Sequence, residues 1–265
     1  MSTYRSDVEG AGSRRTRRTA AMAAMKGAEP VTGFMLTSSL SMDFVQFLQP
    51  APDFIIIEQE HSHFALPEVA ASIRMLNLLD VLSIVRIPEI RYEAISKALD
   101  AGADGILVPR IRSLEELVEV ERGMRLAPTG TKGIGGYDFQ GGNLVAKLEN
   151  YRRDKILLIQ IETAEALGEV EAFASSSDVD GLIIGPFDLS HSLGMAGDFD
   201  STVFRDAVDR VIRASADAGI AVGAMMPTAA HAVDWRHRGM TISWIGTEVS
   251  IFTAGYAQLR SECGL

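Results

Sequence analysis

The sequence contains one cysteine, Cys263, so no intramolecular disulfide framework can hold it together. That scarcity fits a reducing compartment. Positive charge is also in short supply: 25 Lys and Arg against 35 Asp and Glu leave a net charge of −10. A general nucleic-acid-binding surface would be basic, so that class is set aside, while a local basic pocket for small anions stays open. No apolar run approaches the ~20 residues needed to span a bilayer, and no membrane partner is expected. Arg14, Arg15, Arg17 and Arg18 resemble the charged start of an export signal, but the apolar stretch that follows is short and broken by Lys26 and Glu29. The expectation is a cytoplasmic protein with a flexible basic arm over 1–19, leading into a short helix, and a single domain over 20–265. A Gly-rich dinucleotide fingerprint after the first strand is missing too, which weakens an open doubly wound sheet.

What is present is alternation. Eight apolar β-type runs (31–37, 54–60, 82–87, 105–111, 156–162, 181–186, 221–226 and 242–247) are separated by segments with helical spacing, such as ALPEVAASIRMLNLL and SLEELVEVERGMRL. Eight strands with helices between them predict an α/β fold in which a parallel sheet closes into a (β/α)8 barrel. Glycines after helices, at Gly102, Gly219 and Gly239, supply the left-handed caps such a chain needs. One long irregular stretch, 127–143, is Gly-rich; a loop of that size is expected at the barrel mouth, where function concentrates.

Chemistry-bearing residues gather at predicted strand ends. Glu162 closes ILLIQIE and Asp188 follows LIIGPF, so both carboxylates are expected at the C-terminal rim of the barrel. Two carboxylates suit a hard divalent cation, Mg²⁺ or Mn²⁺, with Co²⁺ also able to serve, and leave coordination positions for water and substrate. His61, with Glu58 and Glu60 beside it, is a candidate general base; a capping or core histidine is the plainer alternative, and His63 is the next candidate. Arg86 could hold a carboxylate or enolate oxygen, or could instead form a structural salt bridge to Asp100 or Glu162. Arg110 and Arg112 compete for an anion-binding role. Gln160 shares the face of Glu162 by the two-residue strand period. A base, an arginine and two carboxylates at neighbouring strand ends suggest metal-assisted enolisation of a 2-oxo acid.

The segments EQEH (58–61), VRIP (85–88), ALDAGADGILVPRI (98–111), KGIGG (132–136), QIET (160–163) and GPFDLSHSLG (185–194) resemble, in order and spacing, the HpcH/HpaI aldolase family. The likeness runs from about Ala20 to Tyr256, and QIET with GPFDLS is its most specific part. It implies a barrel of the phosphoenolpyruvate/pyruvate type and class II, metal-dependent pyruvate aldolase activity, cleaving a 4-hydroxy-2-oxo acid to pyruvate and an aldehyde. By the same likeness Glu162 and Asp188 are the metal ligands, His61 is the base and Asp100 the acid that orients it. Arg86 stands at the keto or enolate oxygen, Gln160 beside the metal, and Gly185, Pro186 and Phe187 at the substrate. The resemblance also implies a homohexamer that exchanges C-terminal helices, with the helix near 248–261 packing on a neighbour. Three positions depart from the family pattern: Gln59 where relatives carry glycine, Lys132 where they carry arginine, and Phe187 where a small residue is common. Oxaloacetate decarboxylation or enolate condensation on the same barrel, and a non-catalytic 2-oxo-acid-binding barrel, are the alternatives.

Overall fold

The computed structural model describes residues 16–38 and 44–265. Its strands are β1 (Val31–Leu36), β2 (Phe54–Glu58), β3 (Leu82–Arg86), β4 (Gly105–Val108), β5 (Ile156–Ile161), β6 (Gly181–Ile184), β7 (Ala221–Met225) and β8 (Ile242–Thr247). Its helices are α1 (Arg17–Lys26), α2 (Leu66–Leu78), α3 (Tyr92–Asp100), α4 (Leu114–Met124), α5 (Leu144–Asn150), α6 (Ala164–Gly168), α7 (Val170–Ala174), α8 (Pro186–Ser192), α9 (Thr202–Ala218), α10 (Ala229–His237) and α11 (Glu248–Glu262). The strands pair in parallel in chain order and β8 closes onto β1, giving the expected (β/α)8 barrel.

Side-chain alternation along each strand divides the core in two. Phe54, Ile56, Leu82, Ile84, Ile156, Leu158 and Ile183 fill the barrel interior. Their neighbours Ile55, Ile57, Val85, Leu157, Ile159 and Ile184 face the helices. Continuing the inward parity one step toward the C-terminal rim reaches Glu58, Arg86, Gln160 and Gly185. The polar layer of the mouth is therefore set by the same period that packs the floor below it.

All strands but β8 end one to three residues before their apolar runs, and at β2 and β4 the cause is visible. β2 stops at Glu58 because its carboxylate accepts the N–H groups of Glu60 and His61, pulling the chain into a turn. β4 stops at Val108, and Arg110 beyond it has a φ of 55°. Gly102, Gly219 and Gly239, predicted as helix caps, have φ values of 99°, 70° and 113°.

The N-terminal rim is closed by α1, whose Ala21 and Met25 pack on the interior cluster. Arg18 pairs with buried Asp104, which also accepts the Ser83 N–H at 2.9 Å. Lys26 reaches Asp180 at 2.7 Å. Most of the expected basic arm lies outside the described residues, but Arg17, Arg18 and Thr19 belong to α1 rather than to an arm. The Gly-rich stretch is at this rim as well, contrary to expectation. A segment between a helix and the following strand returns to the N-terminal end of the barrel, and the contacts agree: the Lys132 ammonium bonds Asp100 at 2.5 Å, and a Cβ on Gly136 would lie 2.4 Å from the Asp100 Cα. At the other extreme, α11 has no buried residue and leaves Phe252, Tyr256 and Leu259 exposed. Among the described residues, no helix is long and apolar enough to cross a membrane.

Candidate active site

The mouth is built from the last inward residues of β2, β3 and β5 and the turn after β6. Glu58, Arg86, Gln160 and Glu162 are all buried there, at 1%, 9%, 2% and 3% exposure. Buried charge must be paired, and here it is paired laterally. The Arg86 guanidinium bonds Glu58 Oε2 through both Nε and Nη2, and its Nη1 lies 3.5 Å from Glu60 Oε2. The salt-bridge alternative foreseen for Arg86 thus has different partners, Glu58 and Glu60 instead of Asp100 or Glu162. Its planar fork is thereby held in place by two carboxylates.

Glu162 is held differently. Its Oε1 accepts the Arg110 backbone N–H at 2.5 Å, and its Oε2 accepts Gln160 Nε2 at 2.6 Å. Arg110 aims that N–H from a left-handed backbone conformation, which costs a non-glycine residue on the order of 1 kcal/mol. Gly185 sits against the pair so closely that a Cβ would meet Gln160 Nε2 and Glu162 Oε2 at 2.8 Å each. Burial pushes the Glu162 carboxyl up to about 7; the Arg110 N–H opposes this, while Glu60 and Asp188 add to it by repulsion. Burial also raises the Glu60 carboxyl, against the pull of Arg86 and His61.

Asp188 lies exposed in the first turn of α8, near enough for its charge to help raise the Glu162 carboxyl. Among the described residues, no Lys or Arg forms an ion pair with either carboxylate, and no three His, Cys, Asp or Glu side chains form a ready-made cage. Gln160 Oε1 is buried with no hydrogen-bond partner. Two carboxylates without a cation among the described residues and a buried amide oxygen without a partner are oxygen donors of the kind a hard divalent cation takes, water and substrate completing its shell.

His61 is on the turn after β2, largely solvent-exposed, with Nε2 3.6 Å from Glu60 Oε2. Pro186 is the buried first residue of α8, and Phe187 projects from the same turn against Phe199, ring centroids 5.2 Å apart. Asp100 is elsewhere. It ends α3, which runs from the C-terminal rim back to the N-terminal rim, so it cannot orient His61 of its own chain; its partners are Lys132 and Ser96. The residues missed from sequence are Glu58 and Glu60 as anchors of Arg86, and the Arg110 backbone as an anchor of Glu162. The two-residue period from Phe54 and Ile56 points to Glu58; nothing in the sequence signals the Arg110 conformation.

A closed parallel barrel with buried charge gathered at its C-terminal rim defines the class, a (β/α)8 enzyme. The model of the HpcH/HpaI aldolase/citrate lyase family matches residues 34–254, and the chain belongs to that family. It is 29% identical over 216 residues to a 4-hydroxy-2-oxovalerate aldolase of Rhodococcus jostii, covering 78% of this chain and 84% of that protein. A hydroxypyruvate/pyruvate aldolase of Paraburkholderia phytofirmans is 29% identical over 235 residues, 85% of this chain and 90% of the relative. The crystal structure of an HpcH/HpaI aldolase from Desulfitobacterium hafniense superposes with a TM-score of 0.83 at 25% identity, covering 91% of this chain and 96% of that one. The chain is a carbon–carbon lyase of the aldolase type.

Proposed function

We propose that this chain is a divalent-metal-dependent aldolase that cleaves a 4-hydroxy-2-oxo acid to pyruvate and an aldehyde. The observation that carries the reading is Glu162: a buried carboxylate, fixed by two hydrogen bonds, repelled by Asp188 and lacking a cation from the chain itself. Glu162 and Asp188 would hold the ion, with Gln160 beside it. When bound, a divalent cation supplies Lewis acidity toward the 2-oxo and carboxylate oxygens. His61 accepts the 4-hydroxyl proton, and the neighbouring Glu60 carboxylate stabilises the imidazolium that results. The C3–C4 electron pair passes to C3 as the aldehyde forms, and Arg86, locked by Glu58, faces the enolate oxygen. Proton return to C3 yields pyruvate.

Association with further copies is part of the proposal. The separation of Asp100 from His61 supports it, because the pairing implied by the family resemblance needs an Asp100 from another copy. The apolar residues left uncovered on α11 support it as well. A hexamer is the expected state, and light scattering that returned a monomer would end this part of the reading.

The direct test is exchange of pyruvate methyl protons into deuterated water, followed by NMR with and without a divalent ion. Exchange should require the ion and should fall at least 100-fold in Glu162→Gln. Exchange undiminished by a chelator would refute the metal assignment.

A further inference from the structure

Beside the mouth runs a groove of about 590 Å³, between α8, the ends of β7 and β8, and the starts of α10 and α11. Resting on the aldolase reading above, we infer that this groove binds the aldehyde half of the substrate and that this aldehyde carries an apolar chain. The groove adjoins the reacting centre at two points. Phe187, on its wall, immediately precedes Asp188. Met225 follows the Ile184–Ala224 pairing of β6 with β7, so it lies level with Gly185, and its side chain packs on the barrel interior.

The composition of the wall sets the chemistry. Phe187, Met225, Met226, Ile245 and Ile251 supply its surface, and no charged residue lines it. Each of its three hydroxyls already takes part in a local hydrogen bond. The Thr228 hydroxyl accepts the His231 N–H at 3.2 Å and pairs with His231 Nδ1 at 2.8 Å. Thr247 and Ser250 bond each other's backbone N–H at the start of α11. An aldehyde ending in a carboxylate would enter without a counter-charge, and a polyhydroxylated one would lose water without gaining partners; both cost free energy. An alkyl or aryl chain meets neither cost and gains burial. Phe187 is braced edge-on by Phe199, which packs in turn on Phe204. The two methionines opposite can adapt to chains of different shape.

The experiment has two arms. In the first, pyruvate is condensed with linear aldehydes from ethanal to hexanal, with glycolaldehyde and with succinic semialdehyde, while pyruvate methyl exchange is followed in the same preparation. The inference expects kcat/KM to rise about threefold per methylene, roughly 100-fold across the series. It expects the hydroxylated and carboxylated aldehydes to fall at least tenfold below alkyl aldehydes of equal length. In Ile245→Asp and the milder Ile245→Ala, the hexanal-to-ethanal ratio should shrink; because it is a ratio within one variant, a general loss of activity cancels. In the second arm, calorimetry with unreactive 1-alkanols of the same lengths reads the groove without catalysis. Normal methyl exchange with a flat chain-length series, or with the carboxylated aldehyde preferred, would overturn the groove assignment and leave the aldolase standing. Absent exchange with length-dependent alkanol binding would overturn the aldolase and leave the apolar groove standing. Alkanol binding independent of length would sink the groove in either case.

Discussion

Replacing Gly185 with alanine would set a methyl carbon 2.8 Å from both Gln160 Nε2 and Glu162 Oε2 and 2.9 Å from Glu162 Cβ. Ordinary contact begins near 3.4 Å, so the pair would have to retreat by about 0.6 Å. Glu162 has little freedom to do so, being 3% exposed and held by the Arg110 N–H on one oxygen and Gln160 on the other. Overpacking of this kind costs about 1–3 kcal/mol, and each charge-assisted hydrogen bond that yields adds about 1.5–3 kcal/mol to the strain on the site. The floor of the barrel is untouched, so the variant should fold, with a Tm lowered by roughly 2–12 °C from the overpacking alone and further if a hydrogen bond yields. A carboxylate displaced by more than half an ångström should lose about 100-fold in both ion affinity and kcat/KM. Calorimetric titration with Mn²⁺ and a coupled pyruvate assay would measure the two. Gly168→Ala is the matched control, since a Cβ there meets nothing within 4 Å. Wild-type ion affinity and turnover in Gly185→Ala would refute the claim that Gly185 is what lets Glu162 and Gln160 meet.

Other tests probe separate parts of the site. Glu162 has a folded value of about 7 against an ordinary 4.5, so between these pH values the native state binds more protons than the unfolded one. Without divalent ion, stability should therefore fall as pH rises from 4.5 to about 7, by up to about 3 kcal/mol, and Glu162→Gln should flatten that segment of a pH-resolved denaturation series. Arg110→Gly should keep or improve ion affinity because it relieves the positive φ, whereas Arg110→Ile should weaken it about tenfold; equal behaviour by titration would dissociate the backbone conformation from the site. His61→Ala should lose methyl exchange by at least 100-fold with ion binding intact, and undiminished exchange would move the base elsewhere. Asp104→Ala, which strands Arg18 and the Ser83 N–H at the barrel base, should cost about 3–5 kcal/mol by denaturant titration while leaving the affinity for the ion unchanged.

The fold was legible because β-type runs and helical spacing alternate eight times, and because the inward parity of β5 carries directly from Ile156 and Leu158 to Gln160 and Glu162. Short-range pattern supplies both facts. What escaped depends on contacts between distant elements. Arg86 finds Glu58 because β2 and β3 are neighbours in register, and nothing local distinguishes that partner from Asp100. The stretch 127–143 looked like a mouth loop from its glycines, but rim is decided by connectivity: segments that follow a helix return to the base. Asp100, which precedes its strand, falls at the base for the same reason. Ion-pair partners and the Arg110 conformation are properties of the closed barrel and have no signature in the chain alone.

An apolar layer lies beneath Gln160 and Arg86. Among the described residues, Ile84, Leu158 and Ile183 fill the interior below and α1 packs against its far end, which leaves the mouth as the open side. On the reaction proposed above, the departing aldehyde and the water that brings a proton to the carbanion would have to queue at that threshold. A tenant that lingers would keep the proton out, favouring rejoining over leakage and making the enzyme's fidelity depend on who leaves first.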